Sequence, residues 1–201
     1  RRFATDGIMY DQVARCCMEY AQQLMMEEGD LVWTTIQTDG DDGDPRKPPV
    51  RALVSRSLLQ EKDQEQDEED EAETETGGAR SRTPRPTLLV ITGKGKVRAG
   101  IFSRRHLQVT GLEPSCALSI VAQAKQRDMN IVLLDPNVHG ERKAMGIIEQ
   151  SMTQLLPPPS SSHLTHQAPL YIQAHSCAGA YIVRYMMDHY DSYAPYLEAM
   201  V

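Results

Sequence analysis

Three short apolar runs constrain this chain more than any other feature of its sequence. They read "TLLVITG" (Thr87–Gly93), "NIVLLDPN" (Asn130–Asn137) and "LYIQA" (Leu170–Ala174). None alternates polar with apolar residues, so none has a face suited to water. A strand that is apolar on both sides needs cover on both sides. The runs are separated by stretches of helical texture, "SCALSIVAQAKQRD" (Ser115–Asp128) and "ERKAMGIIEQSMTQLL" (Glu141–Leu156), and a third helix over Gly179–Tyr190 follows. Strands alternating with helices predict an α/β fold with a mostly parallel sheet between helical layers.

The first third of the chain adds a helix and a strand pair. Apolar residues at Ile8, Val13, Cys17, Ala21, Leu24 and Met25 approach helical spacing over Ile8–Glu28, and Gly29 stops the run. "LVWTTIQ" (Leu31–Gln37) and "VRALVSR" (Val50–Arg56) are β-rich and flank a turn-dense segment, so they are expected to pair as an antiparallel ribbon. Residues Gln60–Pro86 are first acidic and then rich in Ser, Thr, Pro and Arg. Such a composition cannot bury enough apolar area to offset its ordering entropy, so a disordered insertion in a single domain of residues 1–201 is expected.

That insertion also carries the net charge of −7. Glu61–Glu75 holds ten acids and one lysine; taking these from the totals of 28 and 21 leaves 18 acidic against 20 basic residues. The rest of the surface is near neutral, which argues against steering of nucleic acid by overall charge. The cysteines (Cys16, Cys17, Cys116, Cys177) have no paired spacing, which fits free thiols in a reducing, intracellular compartment. No apolar run approaches the ~20 residues that span a bilayer. Because the chain begins at Arg1, a processed mitochondrial protein stays open.

Two chemical signals follow the strands. The glycine loop "TGKGKVRAG" after the first run fails both nucleotide patterns: Ile101 stands where a phosphate loop needs lysine, and Arg98 where a dinucleotide loop needs glycine. No cofactor is expected, and no His or carboxylate cluster has metal-ligand spacing. The second signal is "AHSCAG". It places Ser176 between small residues at a strand–helix junction, as in the nucleophile elbow of a serine hydrolase, with Ala174 and Ala178 in place of that pattern's glycines. Gly179 is expected to let the following helix pack closely. In this arrangement the N–H of Cys177 and one from the glycine loop, at Lys94 or Gly95, would face a developing oxyanion. A tight turn using Gly93 and Gly95 for backbone freedom alone is the competing reading.

The expected base is harder to find. His189, the one histidine after Ser176, lies 13 positions on in the elbow's own helix, about 20 Å away at the usual rise. His175 should flank the bend, and His163 and His166 fall in a Pro/Ser loop. His139, on the loop after "LLDPN" at the carboxyl ends of the strands, where sites form in open α/β sheets, is a candidate base. Asp135 is expected to cap the turn before Pro136.

"LLVITGKGKVRAGIFSRRHL", "MNIVLLDPN" and "YIQAHSCAGAYIV" together resemble the Argonaute-binding-protein-two (Arb-two) domain, found in a fission-yeast silencing factor, in animal cotranscriptional regulators and at the C-terminus of some histone deacetylases. Animal members read H-G-S-G-V-V-R-A-G, then L-N-P-N, then A-H-S-Y-G-G in the same order. This chain departs at Thr92, where the family has histidine, and at Ala178, where it has glycine. The resemblance implies a three-layer α/β-hydrolase-like fold with Ser176 at the nucleophile position. The chain then stops near where later strands carrying an acid and a histidine would begin, either continuing past Val201 or truncated after the elbow helix.

The function that the resemblance implies is a non-catalytic or weakly catalytic protein-interaction module in a ribonucleoprotein, RNA-silencing or chromatin assembly, in the nucleus or cytoplasm. The alternative is a serine esterase, thioesterase or deacylase with Ser176 as nucleophile and its acid and histidine supplied beyond Val201 or by a partner. RNA contact through Lys94, Lys96, Arg98, Arg104 and Arg105 is a further expectation, with little aromatic interleaving to support base stacking.

Overall fold

The computed structural model describes residues 7–38, 47–62, 84–158 and 168–201. Six strands form one sheet: β1 (Leu31–Thr35), β2 (Arg51–Ser55), β3 (Thr87–Ile91), β4 (Asn130–Leu134), β5 (Leu170–Ala174) and β6 (Leu197–Met200), in the spatial order β1-β2-β4-β3-β5-β6. β1 and β2 pair antiparallel, and β2 runs antiparallel to β4. From β4 to β6 all neighbours are parallel. The expected ribbon and parallel sheet are both present. A sixth strand also follows the elbow helix: Leu197–Met200 pairs with β5, so the sheet does not end at that helix.

Alternation of side chains along the strands builds two cores. Leu89, Ile91, Val132, Leu134 and Ile172 point to one face, where α5 (Ala144–Leu155) and α6 (Cys177–Asp188) cover them with Ile147, Ile148, Met152, Ala178, Ile182 and Tyr185. Val90, Ile131, Leu133 and Leu53 point to the other, under α1 (Gly7–Gly29) and α4 (Leu118–Gln126). Period-two strands between period-3.6 helices give the three layers. The buried stripe of α1 is Ala14, Met18, Ala21 and Met25, with Val13 46% exposed, one position round from the expected face. Met25 decides that rotation. Its Sδ and Cε lie against Gly100, the Cβ-less residue that leaves room for them.

Three short helical pieces were not expected: residues 56–62 (α2), α3 (Arg104–Val109) and α7 (Tyr190–Tyr193). Ser103 caps α3 by accepting the His106 N–H. Most of the acidic and Ser/Thr/Pro/Arg-rich insertion, residues 63–83, lies outside the described residues, whereas Gln60–Lys62 close α2. The residues flanking it meet: Arg85 Nε lies 3.7 Å from Glu61 Oε1, beside a hydrogen bond from Asn130 Nδ2 to Glu61.

Candidate functional site at the serine bend

Helices leave β3 and β5 toward opposite faces, since α4 covers one core and α6 the other. The loops after these two adjacent strands therefore diverge at the carboxyl edge of the sheet, the place where open α/β sheets form ligand crevices. The glycine loop and the Ser176 bend lie side by side at that edge, in contact at Gly93.

Ser176 follows β5 and precedes α6 with φ 59° and ψ −132°. This is left-handed backbone that a side chain adopts only at a cost, about 1–3 kcal/mol, and it persists where surrounding structure enforces it. The enforcement is visible. His175 N–H donates to the Ile91 carbonyl (3.0 Å), tying the bend to β3, and Ala174 N–H donates to Val201 on the other side. Behind it, Ala178, Ile182, Tyr185 and Met186 anchor α6 in the core. Ser176 itself is exposed at the crest. No family model, curated protein or solved structure matches the chain.

Gly93 is the counterpart of the bend. A Cβ there would stand 2.7 Å from the His175 carbonyl oxygen and 2.7 Å from Ser176 Cβ, so only glycine lets the two loops approach. Gly95 serves differently: its φ is +117° with open space around it, so it supplies backbone freedom. Of the competing turn reading only the Gly95 half is present: Gly93 has no left-handed backbone, and close approach to the serine accounts for it. Gly179 has nothing within 4 Å of an added Cβ, so the expected close packing there is absent.

The two predicted donors are positioned as follows. Cys177 opens α6, and the first N–H groups of a helix have no acceptor one turn back. The Lys94 and Gly95 N–H groups lie on the exposed crest of the glycine loop beside Gly93. The Lys94 ammonium is 2.6 Å from Glu141, and that bond raises its pKa above the ordinary lysine value. Thr92 is buried with its hydroxyl unpartnered among the described residues.

Two of the imidazoles, those of His139 and His189, are engaged elsewhere. His139 Nε2 lies 2.8 Å from the Pro48 carbonyl, at the entry to β2. β2 is three strands from β5, about 14 Å at ordinary strand spacing, so the bond holds His139 away from the serine. His189 packs on Tyr185 at the far end of α6, whereas His175 tilts against Phe102 with ring centroids 5.2 Å apart and keeps its Nδ1 near Gly93, 3.2 Å from where a Cβ there would stand. His163 and His166 lie outside the described residues. Among the described residues no group of His, Cys, Asp and Glu has the makings of a metal site, and no helix is long and apolar enough to cross a membrane. All four cysteines are free thiols.

Two residues beside the loop carry more than the sequence reading gave them. Asp135, at the end of β4, is buried, and that burial pushes its carboxyl up to about 6, against the opposing pull of Arg98 at 3.8 Å. Asn137 is buried too, and its Nδ2 donates to the carbonyls of Gly93 (2.8 Å) and Val97 (3.5 Å), spanning the glycine loop. Its signal in the sequence was only a turn residue after "DP". The expected basic patch is largely neutralised within the protein: Lys94 pairs with Glu141, Lys96 and Arg104 with Asp11, and Arg98 with Asp135. Among the described residues, Arg105 is the exposed exception in that patch.

Proposed function

We propose that this chain is an α/β-hydrolase-like domain of the Arb-two kind, acting as a protein-interaction module in a ribonucleoprotein, RNA-silencing or chromatin assembly, with an oxyanion-holding site at Ser176 that is at most weakly catalytic. The observation that carries the hydrolase-like part is the backbone of Ser176, φ 59° and ψ −132° at a strand–helix crossover beside the loop after β3. In α/β hydrolases that bend presents the nucleophile, and the β3 loop supplies the second oxyanion donor. The weak-catalysis part rests on the imidazoles: His139 is bonded to the Pro48 carbonyl, His189 packs on Tyr185 at the far end of α6, and His175, tilted against Phe102, makes no hydrogen bond to Ser176 among the described residues. A serine hydroxyl without a positioned base is a poor nucleophile, while an oxyanion hole alone retains modest rate enhancement.

A fluorophosphonate probe on the intact chain tests this reading. Slow labelling is expected, lost in Ser176→Ala, with no inflection near the ordinary imidazole pKa. Labelling absent or unaffected by Ser176→Ala removes the oxyanion site. Retention of the assembly's proteins by the Ser176→Ala chain on co-purification is the matching result for the interaction role.

The second reading is a serine esterase, thioesterase or deacylase. It is favoured by the strain at Ser176, since such strain clusters where chemistry uses it. There Ser176 attacks an acyl carbonyl, with the acid and histidine supplied past Val201 or by a partner. Fast labelling that rises through pH 6–7 selects it.

A further inference from the structure

We infer that Asn137 is the positioning residue of the oxyanion site, fixing the Gly93–Lys94 peptide so that the Lys94 N–H faces Ser176. The inference rests on the elbow reading above and assigns the loop donor within it. Across a trans peptide the carbonyl and the N–H point in opposite directions. The Gly93 carbonyl is held 2.8 Å from Asn137 Nδ2, so the Lys94 N–H points away from Asn137. Asn137 follows β4, Ser176 follows β5, and β3, which carries the loop, lies between them. Away from Asn137 is therefore toward the serine. The contact of Gly93 with Ser176 Cβ agrees with that side.

The second bond, to Val97, makes the carboxamide a bridge across both ends of the loop. One flexible residue, Gly95, lies between them, and the loop's crest is exposed, so little else holds the peptide plane. Asn137 is itself 7% exposed and has no freedom to follow a reorienting loop. An N–H aimed in advance at a developing charge is worth far more than one that must turn to meet it.

The test compares the intact chain with Asn137→Asp, which keeps the shape but replaces the donor by a carboxylate facing two carbonyls, and with Asn137→Ala, which removes the donor without adding charge. Labelling of the folded protein by a fluorophosphonate is followed to saturation; the Ser176 Oγ–P bond forms, the P–F bond breaks, fluoride leaves and the hydroxyl proton passes to water. The maximal labelling rate should fall at least about tenfold in both variants, with half-saturation within twofold. Backbone amide NMR should show the Lys94 and Gly95 signals shifted, with faster hydrogen exchange. If the parent chain labels and both variants label at the same maximal rate, the inference is overturned, whatever happens to their melting temperatures. If the parent shows no Ser176-dependent labelling, the elbow reading fails. The clamp is then judged by the amide signals alone, and unchanged Lys94 and Gly95 signals in both variants overturn it.

Discussion

Gly93 and Ser176 approach so closely that a methyl group on the glycine would stand 2.7 Å from the serine Cβ. The second obstacle at the same distance is the His175 carbonyl, which is backbone and cannot rotate aside. Gly93→Ala must therefore push the β3 loop and the β5 bend apart, and overpacking of this kind costs about 1–3 kcal/mol. Urea denaturation should show that loss, together with loss of Ser176 labelling. Gly179→Ala is the control: its Cβ meets open space, and a helix-interior alanine should stabilise by up to about 1 kcal/mol. Equal effects of the two substitutions would refute the contact.

Ser176 holds a conformation that glycine adopts freely and other residues do not. Ser176→Gly should therefore raise stability by about 1 kcal/mol while abolishing labelling, as expected where strain is held for function. Ser176→Ala keeps the strained Cβ and should be close to neutral. Thermal melts of the two variants side by side decide the matter, and a Gly variant no more stable than the Ala variant would remove strain from the account.

The layers were legible because strands such as Thr87–Ile91 and Asn130–Leu134 lack any polar face and alternate with helices that can cover both of their sides. The bend was legible through small residues around Ser176. What stayed hidden depends on side-chain reach across the sheet edge. Nothing in "DPN" says that Asn137 will span the glycine loop, and nothing in "GKGKVRAG" says that its cations are matched by Asp11, Asp135 and Glu141 from three other segments. β6 was missed for a related reason. "LEAM" carries no apolar run or β-branched residue, and it is a strand through backbone pairing with β5. The rotation of α1 likewise followed from Met25 finding space at Gly100, a contact between residues far apart in sequence.

Asn130 is fully buried, and its carboxamide joins two parts of the chain. Its Oδ1 accepts from Ser57 Oγ at 2.6 Å, its Nδ2 donates to Glu61 at 2.8 Å, and the neighbouring Ile131 N–H donates to Ser55 Oγ. Asn130→Ala leaves those half-buried partners unmatched and should cost about 2–3 kcal/mol. Asn130→Asp places a carboxylate against Glu61 and should cost more at pH 7, with part of the loss recovered at pH 4. Chemical denaturation at both pH values measures this; a pH-independent difference between the two variants would argue that Glu61 does not face residue 130.

Asp135 gives the chain a pH dependence whose sign follows from its burial. Its carboxyl titrates at about 6 in the folded protein, above the ordinary 3.8, because desolvation at the end of β4 outweighs the attraction of Arg98. Between those values the folded chain keeps a proton that the unfolded chain has released. Stability from this group is therefore fully present below about pH 4 and is lost as pH rises to about 6, after which it stays constant. The loss is at most about 3 kcal/mol, from roughly two pKa units. The carboxamide of an Asp135→Asn variant does not titrate, so the stability of the variant relative to the parent should rise by up to that amount between pH 4 and pH 7. Arg98→Ala removes the counter-charge, raises the Asp135 pKa further and extends the sloping range above pH 6. Urea denaturation across pH 4–8 tests both variants, and parallel stability curves for parent and Asp135→Asn would mean that this carboxylate is not desolvated.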